Sequence, residues 1–294
     1  SQRPASPVCI ISFLNNARKN SGYEAMEATQ RCWAKRHGYT FYRFDEESAA
    51  RELGERFIAQ IIAFNPGWVK PFLIRWAMRR CVWSLWMDAD IVIMNPDISF
   101  ESFLPSRKID ILVSNDQRGI NAGIWGVRNT TYSRKFLQHY WMDRTYSGWA
   151  VDNGPFMHAL LREFVQNAGE TYTNNCTGPR IANNFNALWR CYSTLLSRVT
   201  DRAIYPHCKR RKCVGSTPSH DPHIYGAWDL NTGLGFQSPN NYRDGVLLLH
   251  LAGQSASERQ RLAKEWASKS RCKQPKRRKI IDAFIYNHEL NMVK

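Results

Sequence analysis

Val82-Trp83-Ser84-Leu85-Trp86-Met87-Asp88-Ala89-Asp90-Ile91-Val92-Ile93-Met94-Asn95-Pro96 is the stretch whose reading decides the fold. A run of β-formers has no need of charge, yet Asp88 and Asp90 stand between two such runs, and residues two apart in extended backbone point the same way. Two aligned carboxylates attract a cation. Hard oxygen ligands with open positions suit Mn²⁺ or Mg²⁺, which bind through one or two carboxylates plus substrate phosphates. An Asp-x-Asp is equally at home in a turn whose side chains bond backbone amides, and both readings stand at this point. The strand before the pair is too apolar for a sheet edge, and ligands of open α/β sheets bind beyond the carboxyl ends of buried strands.

Upstream, Val8 to Leu14 is a short apolar run ending in Asn15-Asn16, a first strand and a polar turn over which a nucleotide is expected to lie, against Phe13 and Asn15. Helical spacing follows from Tyr23 to His37 and stops at Gly38, and residues 39–44 read as a second strand. This βαβ opening has neither G-x-G-x-x-G nor a P-loop, so phosphates must be held in another way, most simply by a metal. Helices are expected over Leu53–Phe64 and Trp68–Arg80; Lys70 and Arg75 lie on the second, either as exposed bases or facing a phosphate.

Downstream, residues 109–116 read as a strand, and Asn121-Ala122-Gly123 follows, small enough either for close approach of a ligand or for an ordinary bulge or hairpin. Tyr132–Tyr146 is an amphipathic helix. Asp152 is placed to cap the helix that follows, or to serve with Asn153 as an acceptor for sugar hydroxyls and a charge stabiliser. Residues 167–241 read as pocket-shaping surface loops, in which Trp189, Tyr192, Trp228 and Phe236 stack on a sugar or belong to the core. A late apolar strand ends at His250, either a hydrogen-bonded structural histidine or a third metal ligand. Helices over 255–267 and 280–290 close the chain.

A chain of 294 residues, 43% apolar and 13% aromatic, buries one large or two modest cores, which excludes disorder except at the ends. No apolar run reaches the roughly 18 residues that span a bilayer, and residues 1–7 have no signal-peptide core. They read as the remnant of a stem whose missing N-terminal segment anchors a type II membrane protein. The net charge of +16, with basic runs at 209–212 and 276–279, draws polyanions such as nucleotide diphosphates and acidic glycans; no nucleic-acid fold signature accompanies it. Eight cysteines without a CxxC pair argue against structural zinc and for disulfides, with Cys208–Cys213 a plausible local loop, and for the lumen of the ER or Golgi. Asn129-Thr130-Thr131 and Asn175-Cys176-Thr177 are sequons for N-glycosylation, though chance supplies about as many in such a chain.

Asp88-Ala89-Asp90, Asn121-Ala122-Gly123 with Val127-Arg128-Asn129, Asp152-Asn153-Gly154 and His250-Leu251-Ala252-Gly253, in that order, resemble the DXD-containing GT-A glycosyltransferases. Within these the chain is most similar to the retaining family of fungal α-galactosyl- and mannosyltransferases and plant xyloglucan xylosyltransferases, with Trp68-Val69-Lys70 a further landmark. The Asp-Asn-Gly form at 152–154 also resembles a nematode group of nucleotide-sugar transferases. The likeness covers residues 8–165 and 246–254. It implies an α/β, single Rossmann-like fold with a mixed central sheet, and a catalytic domain over 8–270 (nucleotide and metal half 8–116, acceptor half 117–270) before a basic C-terminal helix or tail, 271–294.

The same resemblance implies that Asp88, Asp90 and His250 hold Mn²⁺ (or Mg²⁺) against the donor diphosphate, and that Asp152, Asn153 and Asn121 are catalytic. Phe13, Asn15, Lys70, Asp88, Ala89, Gly123, Gly253 and Arg259 then bind donor or acceptor. One departure stands out: Ser255 occupies the position of the xylosyltransferases' phosphate-binding lysine, leaving Arg259, Lys264 or Lys70 to substitute. The expected activity is transfer of a sugar, UDP-galactose being the favoured donor, to a glycan hydroxyl with retention of configuration. The rivals are a nucleotidyltransferase, for which Leu14 to Lys19 is a poor phosphate loop, and a basic glycan-binding module in which the Asp pair is merely structural.

Overall fold

The computed structural model describes residues 6–16, 22–104, 110–116, 119–146, 152–167, 222–225, 247–251 and 255–272. In chain order the elements are β1 (Ser6–Phe13), α1 (Tyr23–His37), β2 (Thr40–Phe44), α2 (Glu46–Leu53), α3 (Glu55–Phe64), α4 (Lys70–Ala77), β3 (Cys81–Met87), β4 (Ile91–Ile93), β5 (Ile111–Asp116), β6 (Gly119–Arg128), α5 (Thr131–Met142), α6 (Asn153–Asn167), β7 (Pro222–Tyr225), β8 (Leu248–His250) and α7 (Ala256–Lys269). Six strands form one sheet in the order β2-β1-β3-β6-β5-β7, and β4 and β8 form a separate two-stranded ladder.

The central sheet is mixed: β1 runs parallel to β2 and β3, while β6 is antiparallel to both β3 and β5. Strict alternation along these strands explains why both faces are covered. Cys9 and Ile11 of β1, Trp86 of β3, Ile111 and Val113 of β5, and Trp125 and Val127 of β6 enter one core with Trp68, Leu73, Phe136, Tyr140 and Phe156 from the helical side. Their neighbours Val8, Ile10, Leu85, Met87, Leu112 and Ile124 enter the other, with Met26 and Trp33 of α1, the β4–β8 ladder and Leu262 of α7. A period of two with apolar residues on both faces is what a sheet sandwiched between helices requires.

Local chemistry sets the boundaries. Gly38 closes α1 at φ 70°, a left-handed conformation that lets its N–H reach the carbonyls of Ala34 and Lys35. Asp45 and Ser48 form a reciprocal capping box that starts α2, a helix the hydrophobic pattern did not announce. The expected 53–64 helix therefore begins after Gly54, and the expected 68–80 helix is a 3-10 turn at Pro66–Val69 followed by α4. β7 stands inside the stretch read as surface loop and pairs parallel with β5; backbone pairing to a formed edge supplied what periodicity did not. Disulfides join Cys9 to Cys81 and Cys32 to Cys272. Among the described residues no helix is long and apolar enough to cross a membrane. Cys208–Cys213, the four stacking aromatics, both basic runs, Gly253 and the 280–290 helix lie outside the described residues.

Candidate functional site

The chain leaves β3 at Met87, turns through Asp88-Ala89-Asp90 and re-enters extended backbone at Ile91, with the Ile91 N–H on the Asp88 carbonyl at 3.3 Å. The two carboxylates thus converge through a turn, not through strand alternation as expected; the turn reading and the ligand reading describe the same residues. The turn is held from both sides. Asp88 N–H donates to Gly123 O of β6 (2.8 Å), and from α1 the buried Gln30 amide donates to the carbonyls of Asp88 (3.0 Å) and Ile91 (2.9 Å).

His250 arrives by a separate route. β8 pairs antiparallel with β4, setting His250 opposite Ile91, and Leu251 N–H donates to the Asp90 carbonyl at 3.0 Å. His250 Nε2 lies 3.1 Å from Asp90 Oδ1 and 3.8 Å from Asp88 Oδ2. One ligand atom from each of Asp88, Asp90 and His250 falls within 4.8 Å of the others. Two carboxylates and an imidazole converging at these distances fit a hard divalent cation such as Mn²⁺ or Mg²⁺. Gly123 makes room for the ring: a Cβ there would stand 2.4 Å from His250 Cε1 and 2.6 Å from Asn121 Oδ1.

Lys70 is neither an exposed base nor turned to open solvent. It is 6% exposed at the start of α4, its Nζ 2.9 Å from Asp88 Oδ1, 2.5 Å from Asp152 Oδ2 and 3.2 Å from Ala122 O. Asp152 likewise does not spend its carboxylate on capping: it meets Lys70 and, at 3.5 Å, the Tyr140 hydroxyl, while its backbone carbonyl accepts from Phe156. Asn153 Oδ1 accepts from Ala122 N–H (2.8 Å) and Asn121 Oδ1 from Gly123 N–H (2.6 Å), so both amides brace the β6 backbone beside the cluster.

These placements set the charges. Burial would lower the Lys70 ammonium, but Asp152 and Asp88 overcome it and hold the pKa above its ordinary value. Burial, reinforced by Asp90, raises the Asp88 carboxyl in spite of Lys70. Asp90 goes the other way: burial opposes ionisation, yet His250 and Arg259 hold its carboxyl down at about 2. Burial would lower His250, and Asp90 raises it instead. Neighbouring carboxylates driven apart, Asp88 upward by burial and Asp90 downward by His250 and Arg259, mark a site built for charge.

Other expected residues are placed less decisively. Arg259, from α7, sets Nε 3.6 Å from Asp90 Oδ2 and donates to the Tyr23 hydroxyl at 2.8 Å, and Ser255 caps α7 through the Glu258 N–H. Ala89 sits within the turn. Phe13 ends β1, where the β1–β3 register carries it level with Asp88, and Asn15 follows half-buried. Sequence reasoning passed over Gln30, Trp86, whose Nε1 donates to Asp88 Oδ1 at 2.7 Å, and Tyr140. Gln30 had a signal: it lies between Met26 and Trp33 on the apolar face of α1, where a polar side chain needs a partner.

No protein-family model matches the chain. In sequence it is similar to a probable alpha-1,6-mannosyltransferase, MNN10, of Saccharomyces cerevisiae, 25% identical over 143 residues that make up 38% of this chain and 34% of the relative. In structure it is similar to a glycosyltransferase involved in the glycosylation of the major capsid of PBCV-1, at 15% identity and a TM-score of 0.45, covering 88% of this chain and 99% of that one. It is also similar to the catalytic domain of Drosophila β1,4-galactosyltransferase 7 in complex with xylobiose (14% identity, TM-score 0.35, 56% of this chain and 63% of that one). The chain is a mixed-sheet α/β protein, and it spans about a third of the length of the curated relative that it matches.

Proposed function

We propose that the chain is a divalent-metal-dependent glycosyltransferase that moves a sugar from a nucleoside diphosphate sugar to a glycan hydroxyl with retention of configuration. The observation that carries this is the convergence of Asp88, Asp90 and His250 at the carboxyl end of β3, with Lys70 joining that cluster to Asp152. The sequence likeness to a mannosyltransferase supports the same class and puts a mannosyl donor beside UDP-galactose among the sugars to test.

When bound, the metal would neutralise the diphosphate as the glycosidic bond breaks, with Asp88, Asp90 and His250 as its protein ligands. Lys70 holds the Asp152 carboxylate in place. Because Asp152 Oδ2 is committed to that ammonium, we assign its carboxylate to steadying positive charge on the donor sugar, not to forming a covalent intermediate. Departure and attack then take place on one face of the sugar. Asn121 and Asn153 hold the Ala122–Gly123 backbone along which the donor lies, and Phe13 and Asn15 flank its nucleoside. We place the protein in the ER or Golgi lumen as the catalytic part of a type II membrane protein acting on a glycan acceptor, which the basic charge suits to acidic glycans; the two disulfides support an oxidising compartment.

The test is thermal-shift screening of UDP, GDP and their sugars with Mn²⁺ or EDTA, since a ligand of the native state raises apparent stability by mass action. Stabilisation by one diphosphate only with Mn²⁺, followed by transfer of its sugar, is the expected result. No response to any nucleotide would return the chain to a glycan-binding role.

A further inference from the structure

The turn between β6 and α5 carries a motif that the transferase reading leaves unused, Asn129-Thr130-Thr131. A sequon acts only where the asparagine amide is open to solvent and the chain has met the glycosylation machinery of an oxidising lumen. The structure bears on both conditions.

Asn129 and Thr131 are exposed. The backbone N–H of Asn129 is fixed on Val82 O at 3.0 Å, and its side-chain Oδ1 accepts from Arg134 at 2.7 Å, which leaves Nδ2 without a partner among the described residues. Thr130 keeps its hydroxyl for capping α5 through Ser133 N–H, so the side chain between the two recognised residues is turned to the helix. The turn also lies far from the chemistry. Asn129 bonds the start of β3 at Val82, whereas the carboxylates follow its other end at Met87; the five residue steps of strand between Val82 and Met87 span on the order of 16 Å. A glycan there is attached away from the Asp88, Asp90 and His250 cluster. It would stand instead beside Val82, one of three large apolar side chains exposed among the described residues, at 47%. Compartment is read from the disulfides: Cys32 and Cys272, 240 residues apart in sequence, are bridged, a bond that reducing cytosol does not maintain.

We propose that Asn129 is an N-glycosylation site, occupied during passage through the secretory pathway. In that step Asn129 Nδ2 forms a bond to the anomeric carbon of an oligosaccharide carried on a lipid diphosphate. The bond from that carbon to the diphosphate breaks, the amide gives up one proton, and the lipid diphosphate leaves.

The test is expression of the full chain behind a secretion signal in eukaryotic cells, followed by peptide N-glycosidase treatment in heavy-oxygen water and peptide mapping. The enzyme marks each occupied asparagine. The expected result is a mark on Asn129, lost together with one step of gel mobility in Asn129→Gln and Thr131→Ala, and kept in Thr131→Ser. Two variants at different positions guard against a folding failure in either. An unmarked Asn129 in protein whose Cys32–Cys272 bridge has formed overturns the proposal, as does a mark confined to Asn175. The outcome is independent of whether the chain transfers sugar.

Discussion

Lys70 Nζ and Asp152 Oδ2 lie 2.5 Å apart inside the protein, and the same ammonium touches Asp88 at 2.9 Å. One buried cation therefore serves both the metal cluster and the carboxylate assigned to the sugar. Its two duties pull in opposite directions: it orders Asp152, but its positive charge competes with a metal for Asp88.

Lys70→Met should separate these effects. Without metal the variant melts lower, since removing one partner of a buried ion pair costs roughly 3–5 kcal/mol. Mn²⁺ then binds about tenfold more tightly or better, because a like charge has been removed from a partly desolvated site, while turnover falls at least ~100-fold. Calorimetry against steady-state rates decides; Mn²⁺ affinity that drops along with turnover would contradict the competition.

Asp90 governs the acid limb of stability in EDTA. Its folded-state pKa, about 2, is lower than the roughly 3.9 of an unfolded aspartate. Its contribution, on the order of 2–3 kcal/mol, is therefore complete above the unfolded value and is lost as pH falls towards 2. Urea denaturation across pH 2–5 should show a shallower acid decline in Asp90→Asn, and the same variant should lose Mn²⁺-dependent turnover by ~100-fold or more. Asp88, whose carboxyl is raised by burial, works with the opposite sign.

Gly123→Ala tests the cradle of the imidazole. Its new methyl would overlap His250 Cε1 at 2.4 Å, so the ring must shift, lowering Mn²⁺ affinity roughly tenfold and stability by about 1–3 kcal/mol. Gly126→Ala on the same strand, where the nearest atom is Phe100 Cζ at 3.2 Å, is the control and should leave metal binding unchanged. Equal losses in both would point to the strand, not the ring.

Gln30→Leu keeps the volume and deletes the amide that holds the Asp88–Ile91 turn. The buried Ile91 carbonyl loses the Gln30 donor, at about 1–3 kcal/mol, the Asp88 carbonyl is left with the Ile91 N–H alone, and weaker Mn²⁺ binding should accompany the lower melting temperature. Normal Mn²⁺ affinity in a folded but destabilised variant would mean that the turn holds its shape unaided.

Much of this was legible in the sequence where one physical cause acts alone. Near-continuous apolar runs at Val8–Leu14 and before Asp88 announced buried strands, and Gly38 announced the end of α1. What stayed hidden was set by competition or distance. Lys70 has the sequence context of a surface helical base, and only the packing of α4 against β1, β3 and α5 puts it between two carboxylates. Asp152 has the position of a cap, but a buried ammonium outbids helix amides for a carboxylate. α2 depends on a capping box with a single buried residue, Ala49, behind it. The two disulfides join cysteines 72 and 240 residues apart, a pairing that spacing cannot indicate.

The ladder between β4 and β8 orders events in time as well as in space. Asp90 and His250 are 160 positions apart and meet through three residue pairs. A nascent chain that has completed β6 already possesses five adjoining strands of the sheet and both aspartates, yet has no His250 to set against them. Contacts of such long range close late, after the loop entropy between them has been overcome. The cluster is in this sense a late product of synthesis: truncation between β6 and residue 250 keeps both aspartates and removes the imidazole that faces them.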